Sequence, residues 1–130
     1  MTPQSLAQAA YAKDRAPIRT ERGTEYELFA HVTHKLRAAA AKGKPGFAQL
    51  AEAIHHNRQL WTVLAGDVAD AENALPAALK ARIFYLAEFT HSYSSRVLSK
   101  GAGIAPLVEI NAAMMRGLRG RAPAATEAVS

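Results

Sequence analysis

The sequence is most restrictive in what it lacks, beginning with cysteine, of which the 130-residue chain has none. Without thiols the chain forms neither a disulfide nor a thiolate metal site, which suits a reducing compartment. No apolar run approaches the roughly 20 residues that a membrane-spanning helix needs. Residues 1–12 carry no charged side chain and no apolar stretch typical of a secretory signal. We therefore expect a cytoplasmic protein without a signal peptide.

Motifs of catalysis and metal binding are also missing. The sequence has no Gly-rich phosphate loop, no nucleophile elbow and no His-Glu-x-x-His motif. Its histidines include the spaced pair His31 and His34 and the adjacent pair His55 and His56, and solvated helical positions account for these better than a metal site does. The acidic stretch 67–73 lacks the spacing of an EF-hand. We predict a protein that is not an enzyme and that holds neither metal nor cofactor.

The formal net charge of +5 is concentrated at the two ends of the chain. The segments 1–20 and 116–130 each have a net charge of +2, which leaves +1 for everything between them. The charged residues of these ends are Lys13, Arg15, Arg19, Arg116, Arg119 and Arg121, set against Asp14 and Glu127. This pattern favours weak attraction to anions, and it does not indicate a dedicated nucleic-acid surface.

The residue pattern predicts an all-α protein, a compact bundle of four to five helices with a disordered C-terminal tail. Alanine is abundant, β-branched runs are missing, and no hairpin dipeptide separates alternating apolar residues. We divide the chain into an N-terminal segment at 1–19 that is compatible with a short helix at 4–13, a helical domain at 20–118, and a tail at 119–130.

Turn and capping signals place the individual helices. Thr24 and Glu27 have the spacing of a capping box, which predicts a helix from there to about Lys42. Further helices are predicted at about 46–69, from Pro76 to before Gly101, and from Pro106 to about Leu118.

The predicted helix at 46–69 carries an apolar seam at steps of three and four residues. Its members are Phe47, Leu50, Ile54, Asn57, Trp61, Leu64 and Val68. Asn57 is the only polar residue in this series, which otherwise has the a/d pattern of a coiled coil. One reading is therefore an interaction domain that forms a homodimer along this seam.

Asn57 and Asn111 are polar residues in the middle of apolar helix faces. A buried polar group without a partner costs about 1–3 kcal/mol. Each amide is therefore either hydrogen-bonded inside the bundle, where it fixes the register, or bonded to the backbone of a partner. We favour the internal role and keep the partner role open.

Several large apolar residues could belong either to the core or to a hydrophobic groove. These residues are Trp61, Tyr85, Phe89, Met114 and Met115. Core packing is the ordinary role for each of them. Met and aromatic side chains also suit a groove that accepts an amphipathic helix, because they adapt in shape and bury a large area.

Blocks of sequence across most of the chain resemble a known family in their order and spacing. They are Asn57-Arg58 with Leu60-Trp61, Asp67 to Ala69, Asn73 to Pro76, Leu86 to Thr90, Pro106 to Asn111, and Met115 to Leu118. Over about residues 10–118 the chain resembles the FlaF family of bacterial flagellar biosynthesis regulators. No single block is a chemical signature, and the tail after Gly120 lies outside the resemblance.

The resemblance implies a small, non-enzymatic cytoplasmic protein that acts on flagellin, as a positive regulator of its synthesis, as a chaperone for its secretion, or both. A FlbT-type regulator is the companion that the resemblance suggests. The resemblance implies no catalytic residue in this chain. Binding of flagellin mRNA or a translation factor through the basic ends is the alternative.

For flagellin we predict a groove between the two predicted helices that begin at Pro76 and Pro106, with Trp61 beside it. The hypothetical partner-binding residues are Asn57, Trp61, Tyr85, Phe89, Asn111, Met114 and Met115.

Overall fold

A computed structural model describes the backbone of residues 21–121 and the side chains of residues 25–117. This part of the chain contains helices α1 (Glu21–Ala41), α2 (Phe47–Ala69), α3 (Ala77–Lys100) and α4 (Ala105–Arg121), with a 3-10 turn at Lys44–Gly46. No strand occurs within these residues, so the predicted all-α class is confirmed. The short helix predicted at 4–13 lies outside the described residues, as does the predicted tail from residue 122 onwards.

Two predicted helix boundaries are wrong. Thr24 lies within α1, which already includes Glu21. An N-cap residue has a non-helical backbone, so the proposed capping box does not start this helix. Helix α4 continues past Leu118 to Arg121. Residues 119–121, which belong to the tail predicted from the sequence, are therefore helical.

Glycine residues end two of the helices as the sequence predicts. Gly43 follows α1 with φ of 67°, and Gly101 ends α3 with φ of 71°. Glycine adopts such positive φ angles without steric cost. The amide of Gly101 donates to the carbonyl of Val97 over 3.2 Å. The connections are short, which makes successive helices antiparallel.

The connector between α2 and α3 is closed by the side chain of Asn73. Its Nδ2 donates to the carbonyl of Asp67 over 3.2 Å, and its Oδ1 accepts from the amide of Leu75 over 2.9 Å. Asp70 makes a similar local bond, accepting from the amide of Glu72 over 2.8 Å. Asp67 to Ala69 still belong to α2, so the connector begins at Asp70, and its Asp and Asn side chains bond to the connector backbone and to the end of α2.

The helices do not contact one another equally. Helix α1 packs broadly against both α2 and α4, α2 also packs against α3, and α3 touches α4 only slightly. The core between them is apolar. Its fully buried members include Phe29, Leu36, Ile54, Trp61, Val68 and Leu107. The weak α3–α4 contact leaves an opening between these two helices.

The apolar seam of α2 faces this core. Ile54, Trp61 and Val68 are fully buried inside one chain, and the rings of Trp61 and Phe29 meet edge to face at 5.5 Å. These three residues are covered within one chain and are therefore not free to form the homodimer interface suggested for this seam. Phe47 is the exception, since 50% of its surface is exposed.

None of the described helices is long and apolar enough to cross a membrane.

Candidate functional site

A buried polar cluster joins three of the helices through the side chain of Asn111 on α4. The Oδ1 of Asn111 accepts from the indole Nε1 of Trp61 over 2.9 Å. Its Nδ2 donates to the Oδ1 of Asn57 over 2.8 Å and to the Oγ1 of Thr33 over 3.1 Å. Both α2 and α1 are thereby bonded to α4. The cluster fixes the register of these helices, which is the internal role that the sequence favours.

Burial decides what this cluster can contact. Asn57, Trp61 and Asn111 each have no exposed surface, and Thr33 is also buried. A partner reaches none of them in this structure. The hypothesis that Asn57, Trp61 and Asn111 contact a partner directly is therefore corrected, because they are core residues in this structure. Asn111 bonds to both of the others, while the Nδ2 of Asn57 has no hydrogen-bond partner.

A second set of contacts ties α2 to α3 at the surface. The Nη2 of Arg58 donates to the carbonyl of His91 over 2.7 Å and to the Oγ of Ser95 over 2.6 Å. The ring Nε2 of His91 lies 3.1 Å from the Oγ1 of Thr62. Burial, and then the Arg58 guanidinium, lowers the pKa of His91. Arg58 thus connects these two helices and lies beside a histidine whose pKa is lowered.

An open apolar groove lies where α3 and α4 diverge, and we call it the α3–α4 groove. It is shallow and open to solvent, with a volume of about 350 Å³. Its lining consists of Tyr85, Leu86, Phe89, Pro106, Glu109, Ile110 and Ala113. The single acidic group of this lining is Glu109, and the rest is apolar or aromatic. A surface of this kind suits the apolar face of a helix.

The aromatic side of the groove is held in place by its neighbours along α3. The ring of Phe89 stacks on that of Tyr93 at 5.5 Å, and the Tyr93 hydroxyl donates to the carbonyl of Gly103 over 2.6 Å. Tyr85 is 66% exposed. The groove therefore combines a fixed ring at Phe89 with a free one at Tyr85.

The structure separates the predicted site residues into distinct places. Tyr85 and Phe89 line the α3–α4 groove as predicted. Met114 and Met115 are partly buried against the core and do not belong to the lining of the groove. Trp61 lies in the core and not beside the groove. A groove thus lies between the two helices named in the prediction, and of the predicted residues only Tyr85 and Phe89 line it.

The α4 side of the groove contains residues outside the predicted partner-binding set, although three of them lie in the block Pro106 to Asn111, to which the family resemblance points first for a shared binding surface. These residues are Pro106, Glu109, Ile110 and Ala113. Ile110 and Ala113 are three residues apart and so share a helix face. For Ala113 this spacing is the available sequence signal of a groove residue. The signal is weak, because the same spacing occurs on every helix face that packs against the core.

The two basic terminal segments lie largely outside the described residues. Of the arginines in the basic C-terminal segment, Arg116 has a described side chain, and it is exposed. The basic N-terminal segment 1–20 lies outside the described residues. Within the described part of the chain, no group of three or more His, Cys, Asp or Glu side chains could hold a metal ion.

Comparison with known protein families gives a match over most of the chain. The family model described as "Flagellar protein FlaF" matches residues 7–118. No curated protein and no solved structure matches the chain significantly.

Proposed function

Since the chain belongs to the FlaF family of flagellar proteins, we propose that it acts in flagellar biogenesis by binding flagellin without catalysing a reaction. It acts in the cytoplasm as a chaperone for flagellin secretion, as a positive regulator of flagellin synthesis, or as both. The observation that carries the proposal is the open, apolar α3–α4 groove. Membership of the family supplies the flagellar context, and the groove supplies a place for a helical segment.

The shape of the groove supports a helix as its ligand. Two diverging helices leave a channel into which a ridge of side chains at three- and four-residue spacing fits. Ile110 and Ala113 form the α4 side, and Phe89 forms the α3 side. Flagellin has terminal segments that become helical in the filament, and such segments have the amphipathic pattern that this channel accepts.

The size of the groove supports reversible binding. A volume of about 350 Å³ accommodates a few apolar side chains and not a whole helix. Ordering a flexible segment on binding costs about 2–5 kcal/mol of the gross interaction energy. The net affinity is then modest, which suits a chaperone that must release flagellin for export.

The lining also supports a binding role over a catalytic one. Its polar groups are the Tyr85 hydroxyl and the Glu109 carboxylate. The lining includes no Ser, Cys, His or Lys, so it holds no nucleophile paired with a base.

The experiment is a titration of the full-length chain with intact flagellin and with flagellin lacking either terminal segment, at low and high salt. We expect saturable, salt-tolerant binding that one of the two truncations abolishes. The variant Ala113→Trp fills the groove from an exposed position and should block binding. Ala38→Trp, at an exposed position on α1, is the matched control.

Absence of binding to every form of flagellin would overturn the proposal. The alternative, recognition of flagellin mRNA or a translation factor, has its own signature. It predicts binding that weakens steeply with salt and is lost on removal of Arg116, Arg119 and Arg121. A FlbT-type regulator is the third partner to titrate, with Ala113→Trp as the same probe of the groove.

A further inference from the structure

A second groove lies at one end of the bundle, where the connection from α1 to α2 meets the connection from α3 to α4. It encloses about 490 Å³. Apolar side chains from three elements form much of its lining, among them Phe47, Leu50, Leu98 and Ile104. We call it the basic groove because lysine residues lie in and around it. It shares no lining residue with the α3–α4 groove.

The end of the bundle around this groove is positively charged. Lys44 is part of the lining, and Lys42 and Lys100 lie at the ends of the two helices that lead into it. The stretches 40–51 and 94–108, which form this end, contain no acidic residue. The three lysines form no ion pair with a described acidic side chain. Folding therefore places Lys100 at the same end of the bundle as Lys42 and Lys44, although it lies far from them in the sequence.

Helix dipoles account for only part of this charge. A lysine at a helix C-terminus complements the partial negative charge of the last carbonyls. Lys100 has that role in α3, and Lys42 follows the end of α1. Lys44 lies in the 3-10 turn instead and extends over the groove lining. The lining of the groove thus includes both a lysine and the half-exposed ring of Phe47.

We propose that the basic groove is a docking surface for an acidic, amphipathic segment of another protein. The apolar side chains of that segment occupy the floor made by Leu50, Leu98 and Ile104, beside Phe47. Its carboxylates pair with the lysines at the rim. This surface goes beyond the proposed flagellin site, because it lies on different residues and its charged lining residue is Lys44, whereas that of the α3–α4 groove is Glu109.

The observations favour this occupant over the others. A membrane surface is met by a protruding apolar edge, whereas this site is concave. Single-stranded nucleic acid needs several aromatic rings for stacking, and the lining offers only Phe47. The two ends of the described chain, where α1 begins and α4 ends, lie at the opposite end of the bundle from this groove. This position disfavours a segment of the same chain as the occupant. The N-terminal segment 1–20 is itself basic, so it lacks complementary charge.

The test uses the full-length chain and a synthetic helical peptide of about 18 residues, with leucine on one face and glutamate on the other. Two control peptides replace every glutamate by lysine or every leucine by alanine. Binding is followed by NMR shifts of backbone amides. We expect saturable shifts around Phe47, Leu98 and Ile104 with the Leu/Glu peptide alone.

Charge reversal tests the rim directly. Lys44→Glu should weaken binding of the Leu/Glu peptide about tenfold and create binding of the Leu/Lys peptide. Lys80→Glu, at the other end of the bundle, is the matched control and should change neither. Circular dichroism shows whether each variant keeps its helices. Ala113→Trp should leave this binding intact, which separates it from the flagellin site.

Several outcomes would overturn the proposal. Shifts confined to the α3–α4 groove, equal binding of the Leu/Lys peptide, or no binding of the Leu/Glu peptide would each do so. Binding to phosphatidylglycerol vesicles but not to the peptide, with loss in Phe47→Ser, would assign the surface to membranes. Self-association of the chain that Phe47→Ser abolishes would assign it to a second copy.

Discussion

The indole Nε1 of Trp61 donates a 2.9 Å hydrogen bond to the side-chain oxygen of Asn111, and both side chains are fully buried. The two residues belong to α2 and α4 and lie 50 positions apart in the chain. The amide nitrogen of Asn111 bonds to Thr33 and Asn57 at the same time. One side chain thus satisfies polar groups from two other helices. A shift of α4 by one turn would leave them all unpaired.

Asn111→Leu should lower the free energy of unfolding by about 2–4 kcal/mol. Leucine has a similar size, so the change chiefly removes hydrogen bonds and opens little space. The indole of Trp61, the hydroxyl of Thr33 and the oxygen of Asn57 then remain buried without this partner, at about 1–3 kcal/mol each before relaxation. Urea unfolding followed by circular dichroism measures the loss.

Gln49→Ala is the control, because Gln49 is an exposed amide on α2. A change within about 0.5 kcal/mol is expected there. An Asn111→Leu chain as stable as the original would contradict the assignment of a net stabilising role to the cluster.

The sequence predicts part of this cluster and misses the rest for a physical reason. An Asn on an apolar helix face needs a polar partner, so Asn57 and Asn111 could be identified from spacing alone. The identity of their partners depends on how three helices are arranged in space. Thr33 gave no signal, because a Thr among apolar residues of a helix is common. Trp61 fits the core equally well with or without a bonded indole.

The position of Phe47 shows where helical periodicity misleads. The seam spacing places it with Ile54 and Trp61, which are buried, yet half of its surface is exposed. Phe47 is the first residue of α2, at the point where the chain turns out of α1. Period predicts which face a residue shares, but the length of the neighbouring helices decides how far that face is covered.

Tyr85→Ser should weaken flagellin binding about tenfold or more while leaving stability nearly unchanged. Tyr85 is 66% exposed, so its removal alters the fold by no more than about 0.5 kcal/mol. In the proposed complex the ring is buried against the ligand, and an aromatic contact at the centre of an interface is worth about 2 kcal/mol or more. Calorimetric titration with flagellin and urea unfolding together test both halves.

Phe84→Ser is the matched control on the same helix. Phe84 is 41% exposed and does not line the α3–α4 groove. Flagellin affinity should be unchanged by it. Equal losses in both variants would mean that binding depends on the general apolarity of α3 and not on the groove. If Phe89→Ala unfolds the chain, then Phe89 is a core residue and Tyr85 alone represents this side of the groove.

Stability should fall as the pH is lowered from about 7 towards 5.5. Burial is the main cause that lowers the pKa of His91 and of His56 below the ordinary value of 6.5, with Arg58 and Lys35 contributing next in each case. The unfolded chain therefore takes up protons at a higher pH than the folded chain does. The stability held by these neutral rings is fully present above pH 6.5 and is lost as the pH falls towards the lowered pKa values.

Replacing His91 by Gln should flatten this pH dependence, since one titrating ring is removed. Ser92→Gln, at an exposed position beside His91 on α3, removes no titrating ring and is the control that should leave the slope intact. Unfolding free energies measured at several pH values give the slope directly. An unchanged slope in the His91 variant would show that its protonation is not linked to folding.

Two glycines of the chain should respond to alanine in opposite ways. A Cβ at Gly46 would lie 2.6 Å from the Cβ of Lys42 and 2.8 Å from the carbonyl oxygen of Ala39, so the end of α1 or the start of α2 would have to move. At Gly66, inside α2, a Cβ meets nothing within 4 Å.

Gly46→Ala should therefore destabilise the chain by about 1–3 kcal/mol through steric overlap with α1. Gly66→Ala should stabilise it by about 0.5–1 kcal/mol, because alanine restricts the unfolded chain and favours the helix. Thermal and urea unfolding of both variants test the pair. If Gly46→Ala were as stable as Gly66→Ala, the tight approach of α1 to α2 would be absent. The walls of the basic groove near Lys44 would then be placed differently, which makes this pair a check on that surface as well.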